Sequence, residues 1–233
     1  MRFLLTRPRA DSEKVAEKLV TLGHRAMIEP LLSIHSEPGP PLDLEGAQGL
    51  LITSANGLRA FCNRNAQRDL VVWAVGEASA SEARAVGFDD VHNANGDAEA
   101  LARLVIRNAD PKDGWLVHPA GTKVAGDLAG LLEKAGFDYR RRTIYRAETA
   151  RLLSDPCRRT LIEGGLDGVL LYSPRTARTF AELVRQHGLE RQLGNLTAYC
   201  LSAAVADRLA DQPFGAKAIA ERPEESCLFD LFG

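Results

Sequence analysis

The chain has 233 residues, of which 45% are apolar and 26% are charged, and its formal net charge is −2. This length suffices for one large domain or two of ordinary size, and the composition is typical of a soluble globular protein. The small negative charge excludes a strong bulk attraction to nucleic acid or to an acidic membrane surface, and no window approaches the roughly 20 apolar residues that a membrane span requires.

The first segments of the chain alternate between strand and helix. Residues 3–5 predict a short strand, and an amphipathic helix follows that ends at Gly23, a residue type that commonly terminates helices. Residues 26–34 are predicted to be extended chain interrupted by Pro30. The prolines within residues 37–41 predict a linker, because they cannot continue a sheet.

The middle of the chain continues this alternation. Predicted strands cover residues 50–53, 70–75 and 91–92. Predicted helices cover residues 56–65, the stretch that stops at Gly87, and a segment that Asp97 caps and that runs through Ile106.

After Gly114 the pattern begins again. Residues 115–118 predict a strand like the first one, and the helix that follows ends at Gly136 as the first helix ends at Gly23. Further strands are predicted from Gly168, over 196–201 and over 217–220, with helices after Ser202 and over 224–232.

Two segments of the chain are nearly the same sequence. Gly49, Leu51, Ser54, Arg59 and Phe61 match Gly168, Leu170, Ser173, Arg178 and Phe180 at one constant offset (168 − 49 = 119). The chain therefore has the order unit A, unit B, unit A′, unit B′, and the duplication by itself suggests two contiguous halves. Strands that alternate with helices predict parallel sheets with right-handed crossovers.

Polar residues concentrate where the predicted strands end and helices begin. Ligands bind beyond the carboxyl ends of parallel strands, and the unpaired N–H groups of a helix N-terminus favour an anion. The candidate binding residues are Arg7, Thr53, Ser54, Asn56, Ser79, Ser173, Arg175 and Ser202. Each has an ordinary alternative: a serine caps its own helix, an arginine is solvated on a loop, and an asparagine belongs to a turn.

The cysteines and histidines indicate no metal site and no disulfide framework. The four cysteines show no CxxC spacing, and the five histidines are scattered. Reduced thiols in a cytoplasmic protein are the interpretation that we favour. The N-terminus enters a short strand directly, so we expect no signal peptide.

Several short motifs are spread along almost the whole chain. They are Thr6-Arg7-Pro8, Thr53-Ser54-Ala55-Asn56-Gly57, Ala74-Val75-Gly76-Glu77-Ala78-Ser79-Ala80, Ile144-Tyr145-Arg146, Tyr172-Ser173-Pro174-Arg175-Thr176-Ala177 and Cys200-Leu201-Ser202 with Ala204-Val205-Ala206. Each is weak alone, but in their order and spacing together they resemble the uroporphyrinogen-III synthase family.

The resemblance implies an α/β fold of two similar domains, each a parallel sheet flanked by helices. A two-stranded linker would join them and a cleft would lie between them. It also implies a crossed assignment that the duplication does not suggest. Residues 1–34 and 147–233 would form a discontinuous first domain and 37–143 the second, with linkers near 34–37 and 143–147.

The resemblance also implies a reaction. The family closes hydroxymethylbilane, a linear tetrapyrrole with an acetate and a propionate on every ring, to uroporphyrinogen III, with loss of water and inversion of the last ring. It needs no cofactor and no metal. The matching position makes Tyr145 the candidate catalytic residue, because a phenol can donate a proton to the departing hydroxyl without carrying charge.

The sequence departs from the family pattern at a few places. Ser79 stands where the family often has Thr, which keeps the hydroxyl. Ala203 and Ala204 offer no hydroxyl beside Ser202. Residues 118–121 lack the Arg often found after that strand.

The remaining expectations concern partners and a rival function. We expect a monomer, with a possible transient contact with the enzyme that makes the unstable substrate. A non-enzymatic two-domain sensor or carrier of an anionic small molecule would explain the duplication and the helix ends equally well. It gives no reason for Tyr145 in a linker.

Overall fold

A computed structural model describes residues 1–124 and 126–232, which form alternating strands and helices. The strands are β1 (Arg2–Leu5), β2 (Arg25–Ile28), β3 (Leu32–Ser36), β4 (Ala47–Ile52), β5 (Val71–Ala74), β6 (Val91–Asn93), β7 (Trp115–Gly121), β8 (Tyr139–Thr149), β9 (Gly168–Leu171), β10 (Thr197–Cys200) and β11 (Ala216–Ile219). The helices are α1 (Arg9–Thr21), α2 (Ala55–Cys62), α3 (Glu77–Ala85), α4 (Ala98–Asn108), α5 (Leu128–Lys134), α6 (Asp155–Ile162), α7 (Pro174–Gln186), α8 (Ala203–Ala206) and α9 (Glu225–Phe229).

The chain divides into two compact units. Unit 1 contains residues 1–33 and 148–233, and unit 2 contains residues 34–147. The chain passes from one unit to the other inside β3 and returns inside β8. Unit 2 is therefore inserted between two separate parts of the unit 1 sequence.

Unit 1 is built on a sheet with the strand order β11-β10-β9-β1-β2. Each of its strand pairs is parallel. β1 pairs with β9, so that Phe3 lies beside Gly168 and Leu5 beside Leu170. β1 therefore lies in a different sheet from β4, the arrangement that the crossed assignment requires.

Helices cover both faces of this sheet. Leu4, Val169 and Leu171 point into one apolar cluster, together with side chains of α6 and α7. Phe3, Leu5, Leu170 and Tyr199 point into the other cluster, together with side chains of α1 and α9. Since alternate strand residues face opposite sides, a strand that is buried on both faces must be apolar throughout.

Unit 2 follows the same plan with the strand order β3-β8-β7-β4-β5-β6. The pairs from β8 to β6 are parallel. Leu50 and Ile52 face a cluster that includes α2 and α3, whereas Leu51 faces a cluster that includes α4 and α5. The predicted fold class, parallel sheets flanked by helices in a two-part chain, is confirmed.

Two glycines that the sequence repeat placed after the first helix of each half do end those helices. Gly23 has a φ of +77° and Gly136 a φ of +90°, a region that L residues rarely adopt. In each case the next residue returns a hydrogen bond to the last turn, from His24 N–H to the Leu19 carbonyl and from Phe137 N–H to the Leu132 carbonyl. This is the Schellman arrangement of a helix C-terminus.

Some element boundaries differ from the predictions. The linker expected near residues 143–147 is part of the longer strand β8. The helix expected after Ser202 has four residues before it tightens into a 3₁₀ turn over Asp207–Leu209, and the last helix stops at Phe229. Helix α6 was not predicted, although Ser154 caps it by accepting a hydrogen bond from Cys157 N–H at 3.3 Å. No helix in the described part of the chain is long and apolar enough to cross a membrane.

The repeated glycines Gly49, in β4, and Gly168, at the start of β9, share a physical cause. A Cβ added at Gly49 would lie 2.9 Å from Nε1 of Trp73, and one at Gly168 would lie 2.6 Å from Cε2 of Tyr199. In both sheets the neighbouring strand thus lays an aromatic ring across the glycine. A larger residue would have to displace that ring.

We expect Gly168→Ala to lower the free energy of unfolding by about 2 kcal/mol, because the new methyl group overpacks the contact with Tyr199. Gly194→Ala is the matched control, since a Cβ there meets nothing within 4 Å. Urea denaturation of the full chain measures both. Equal denaturation midpoints for the two variants would contradict the conclusion that the Tyr199 ring excludes a side chain at position 168.

Candidate active site

The N-terminus of α2 follows β4 directly. Ser54 is the N-cap, and its Oγ accepts a hydrogen bond from Asn56 N–H at 3.1 Å. The Asn56 side chain is itself used locally, because its Oδ1 accepts a hydrogen bond from Nη1 of Arg59 at 3.0 Å. Ser54 thus has the capping role that sequence reasoning offered as its ordinary alternative, and a capped helix start can still present its other N–H groups to an anion.

Tyr145 lies beside this helix start. It belongs to β8 and is 9% exposed. Its ring packs against two glycines. A Cβ added at Gly121 would lie 3.1 Å from the phenol oxygen, and one at Gly57, in the first turn of α2, would lie 3.6 Å from Cε1. Unit 2 therefore brings the candidate acid next to the first turn of α2.

A chain of hydrogen bonds through a buried histidine ends at Thr53, the residue that precedes the helix cap Ser54. His118, on β7, is 1% exposed. One ring nitrogen, Nε2, lies 2.8 Å from Oγ1 of Thr53, and the other, Nδ1, lies 2.5 Å from the hydroxyl of Tyr139. Burial, and to a lesser degree the positive charge of Arg141, lowers the pKa of His118 to about 4. The imidazole is therefore neutral near pH 7.

Sequence reasoning did not identify His118 as a site residue. It ends the apolar run Trp115-Leu116-Val117, and a histidine in such a run has no signal of its own. The pairing of β7 with both β4 and β8 explains its position, since it brings Thr53 and Tyr139 to opposite sides of the ring.

Ser79 lies in the first turn of α3 and is not its N-cap. The N-cap of α3 is Gly76, and Ser79 N–H is 3.1 Å from the Gly76 carbonyl oxygen. Ser79 is 5% exposed. Helix α3 is tied to α2 by an ion pair between Arg59 and Glu82 at 2.8 Å, so the helices that carry Ser79 and Ser54 are held together.

In unit 1 the two candidate serines follow the adjacent strands β9 and β10. Ser173 caps α7, and its Oγ accepts a hydrogen bond from Thr176 N–H at 3.1 Å. Ser202 precedes the short helix α8 and makes no side-chain cap bond. Arg175 is exposed and its Nη2 donates to Oγ1 of Thr149 at 2.9 Å. Because β9 and β10 are parallel neighbours, their carboxyl ends lie at one edge of the sheet.

Arg7 is already paired. Its guanidinium lies 3.3 Å from carboxylate oxygens of Asp11 and of Glu225, and it stacks 4.6 Å above the ring of Tyr172. Glu225 also receives the ammonium group of Lys18 at 2.6 Å. A substrate carboxylate would have to compete with these two protein carboxylates for Arg7.

Two of the thiols, those of Cys157 and Cys200, do not have the properties of nucleophiles. Burial raises the pKa of Cys157 to about 12 and that of Cys200 to about 11, which keeps both thiols protonated near pH 7. Among the described residues, no group of three or more His, Cys, Asp or Glu side chains is arranged to hold a metal ion.

A family model described as Uroporphyrinogen-III synthase HemD matches residues 13–230, which is nearly the whole chain. No curated protein is similar enough in sequence to count as a match.

Two solved structures are similar to the chain in fold. The uroporphyrinogen-III synthetase from Helicobacter pylori 26695 has a TM-score of 0.66 at 15% identity, over 99% of this chain and 98% of that one. A mutant uroporphyrinogen III synthase from the extremely thermophilic bacterium Thermus thermophilus has a TM-score of 0.51 at 16% identity, over 99% of this chain and 97% of that one.

We expect the free energy of unfolding to fall as the pH falls from about 6.5 to about 4. The unfolded state binds a proton at the ordinary histidine pKa, whereas folded His118 resists protonation down to about 4. This difference corresponds to a loss of roughly 3 kcal/mol below both pKa values.

Chemical denaturation at a series of pH values measures this loss. The variant His118→Gln lacks the titrating ring, so its stability should decline less over the same interval. If the free energy of unfolding declined equally in wild type and variant, the loss of stability could not be due to protonation of His118.

Proposed function

The chain belongs to the uroporphyrinogen-III synthase family, and from that premise we propose how its residues bind hydroxymethylbilane and close it to uroporphyrinogen III. The enzyme is a cyclising lyase of tetrapyrrole biosynthesis. The observation that carries the proposal is the contact of Tyr145 with the start of α2, because it places a proton donor beside groups suited to a carboxylate.

In the first step the terminal carbon–oxygen bond of the substrate breaks. Tyr145 donates its phenol proton to the departing hydroxyl, which leaves as water, and the pyrrole electrons form an electrophilic azafulvene. A neutral phenol can do this beside the many substrate carboxylates without the competing ion pairs that a charged acid would form. Burial of the ring fixes the position of its hydroxyl.

In the next steps the substituted carbon of the last ring attacks the azafulvene and forms a spiro intermediate. This intermediate fragments and closes again with the last ring inverted, and a ring carbon then returns a proton to the tyrosinate. The protein's contribution here is orientation, since it must favour one folded shape of the substrate. No residue needs to form a covalent bond, and no cofactor enters the proposal.

We propose that helix starts in both units bind the substrate's carboxylates. Ser54 and Ser173 mark α2 and α7, which are long enough for an N-terminal partial charge, and such a contact is worth about 0.3–2 kcal/mol depending on burial. Thr53 and Ser202 add hydroxyl groups. The N–H of Ser79 is already bonded within α3, so we propose that Ser79 contributes its hydroxyl group.

The other candidates contribute less directly. Asn56 presents its amide group beside Ser54 while it holds Arg59. Arg175 is exposed and can reach a carboxylate with its guanidinium. Arg7 exchanges Glu225 or Asp11 for a substrate carboxylate, which makes its contribution to affinity smaller than that of an unpaired arginine.

The architecture and cellular setting of this function are also proposals. Residues 1–34 and 147–233 act as one substrate-binding domain and 37–143 as the other. The enzyme works as a cytoplasmic monomer and receives its unstable substrate through transient contact with the enzyme that makes it.

The first functional prediction concerns the reaction itself. Incubation of the purified chain with hydroxymethylbilane should give the type III isomer, whereas the spontaneous reaction gives type I. Tyr145→Phe should lower kcat about 100-fold, because it removes a general acid, and should change product affinity by less than about threefold.

Tyr199→Phe is the matched control, since Tyr199 is a buried tyrosine of the unit 1 core. It should retain full turnover. Chromatographic separation of the two isomers measures how much type III product each variant forms. An unchanged kcat in Tyr145→Phe would contradict the role of Tyr145 as the acid.

The second functional prediction concerns the helix starts. Anaerobic titration with uroporphyrinogen III should shift the backbone amide signals of Ala55 and Arg175, which lie at the starts of α2 and α7 and whose N–H groups do not form the serine cap bonds. Cys157 is the control, because α6 also begins with a serine cap but is separated from the end of the preceding strand β8 by residues 150–154. Shifts confined to Cys157, or their absence at both strand ends, would refute amide binding.

A further inference from the structure

The hydrogen-bond chain through His118 can exist in two arrangements. A neutral imidazole has one N–H and one bare nitrogen, and both of its neighbours are hydroxyl groups. Either Nδ1 accepts from Tyr139 while Nε2–H donates to Thr53, or Nδ1–H donates to Tyr139 while Nε2 accepts from Thr53. The two arrangements give Thr53 opposite properties toward a ligand.

In the first arrangement Oγ1 of Thr53 accepts from the imidazole, and its own proton stays available. In the second, that proton is bound to Nε2, and Thr53 presents only lone pairs. A substrate carboxylate carries only acceptors, so it is attracted to Thr53 in the first arrangement and repelled in the second.

The surroundings of Tyr139 decide between the two. Within residues 1–124 and 126–232, the His118 ring is the hydrogen-bond partner of the Tyr139 hydroxyl. If Nδ1 carried the proton, the partly buried phenol proton of Tyr139 would have no acceptor there, which costs free energy. With the proton on Nε2, Tyr139 donates to Nδ1, and the imidazole and the phenol are both satisfied.

We infer that His118, held by Tyr139, is a positioning residue that keeps the Thr53 hydroxyl proton free to bind a carboxylate of the substrate. Thr53 is only partly buried and directly precedes the helix cap Ser54, so its hydroxyl can reach a ligand at the start of α2. The inference rests on the proposed function for the ligand's identity. The tautomer that it requires belongs to the free protein.

The tautomer can be measured without substrate. Nitrogen-15 NMR of the full chain, labelled at histidine, should show His118 protonated at Nε2 with Nδ1 bare near pH 7. A spectrum with the proton on Nδ1 would overturn the inference. It would leave the proposed function standing, because type III product formation is tested separately.

A kinetic cycle tests whether the effect passes through Thr53. Tyr139→Phe removes the donor that fixes the ring and should raise KM about threefold to tenfold with kcat little changed, as expected for one hydrogen bond. In a Thr53→Val background the same change should leave KM as it is. Thr53→Ser, which keeps the hydroxyl, should retain a KM close to that of wild type.

A purely structural role for Tyr139 predicts a different pattern. The rise in KM would then be the same in the wild-type and the Thr53→Val backgrounds, and this additivity would overturn the inference. An unchanged KM in Thr53→Val alone would also overturn it. Tyr199→Phe again serves as the control for removal of a tyrosine hydroxyl away from this chain of contacts.

Discussion

The parallel pairing of β1 with β9 is the constraint on which the rest of unit 1 depends. It joins segments more than 160 positions apart, and two bonds secure its ends: Arg2 N–H donates to Asp167 at 2.6 Å, and the Thr6 hydroxyl donates to the Leu170 carbonyl at 2.9 Å. The chain must complete unit 2 between these two strands. The same pairing places Arg7 and Ser173 at the ends of neighbouring strands, so the connectivity of the fold and the composition of the candidate site have one cause.

Parallel strands that end at one edge favour a binding site made of uncharged groups. Strands such as β4 and β9 lead directly into helix starts, whose N–H groups attract an anion. Of the two candidate arginines, Arg7 is the less exposed, and its charge is neutralised by Asp11 and Glu225. The chain as a whole carries a net charge of −2. In the proposed function, affinity for a substrate with many carboxylates therefore comes from local geometry. We expect such a site to discriminate between shapes of a flexible polyanion, since amides and hydroxyls act over a short range and in fixed directions.

The sequence predicted the features that local physics determines. Alternating apolar runs and helix caps gave the order of strands and helices, and the repeat around Ser54 and Ser173 located two helix starts that the structure contains. It could not predict contacts between distant segments. Glu225 pairs with Arg7 across 218 positions, and His118 acquires its two hydrogen-bond partners only when β7 lies between β4 and β8. The crossed order of units came from family resemblance, because the duplication suggested contiguous halves.

The proposed acid and the proposed positioning residue share one physical principle. Tyr145 and His118 are both nearly buried, at 9% and 1% exposure, and both act as neutral donors. Burial disfavours a charge on the imidazole and so preserves the single N–H whose placement sets the direction of the Thr53 hydroxyl. A charged imidazolium would carry a proton on both nitrogens, and Nδ1 could then no longer accept the hydrogen bond from Tyr139. The apolar surroundings of β7 thus maintain the donor-to-acceptor direction of the hydrogen-bond chain. In this way the packing of the sheet is linked to the proposed chemistry at its edge.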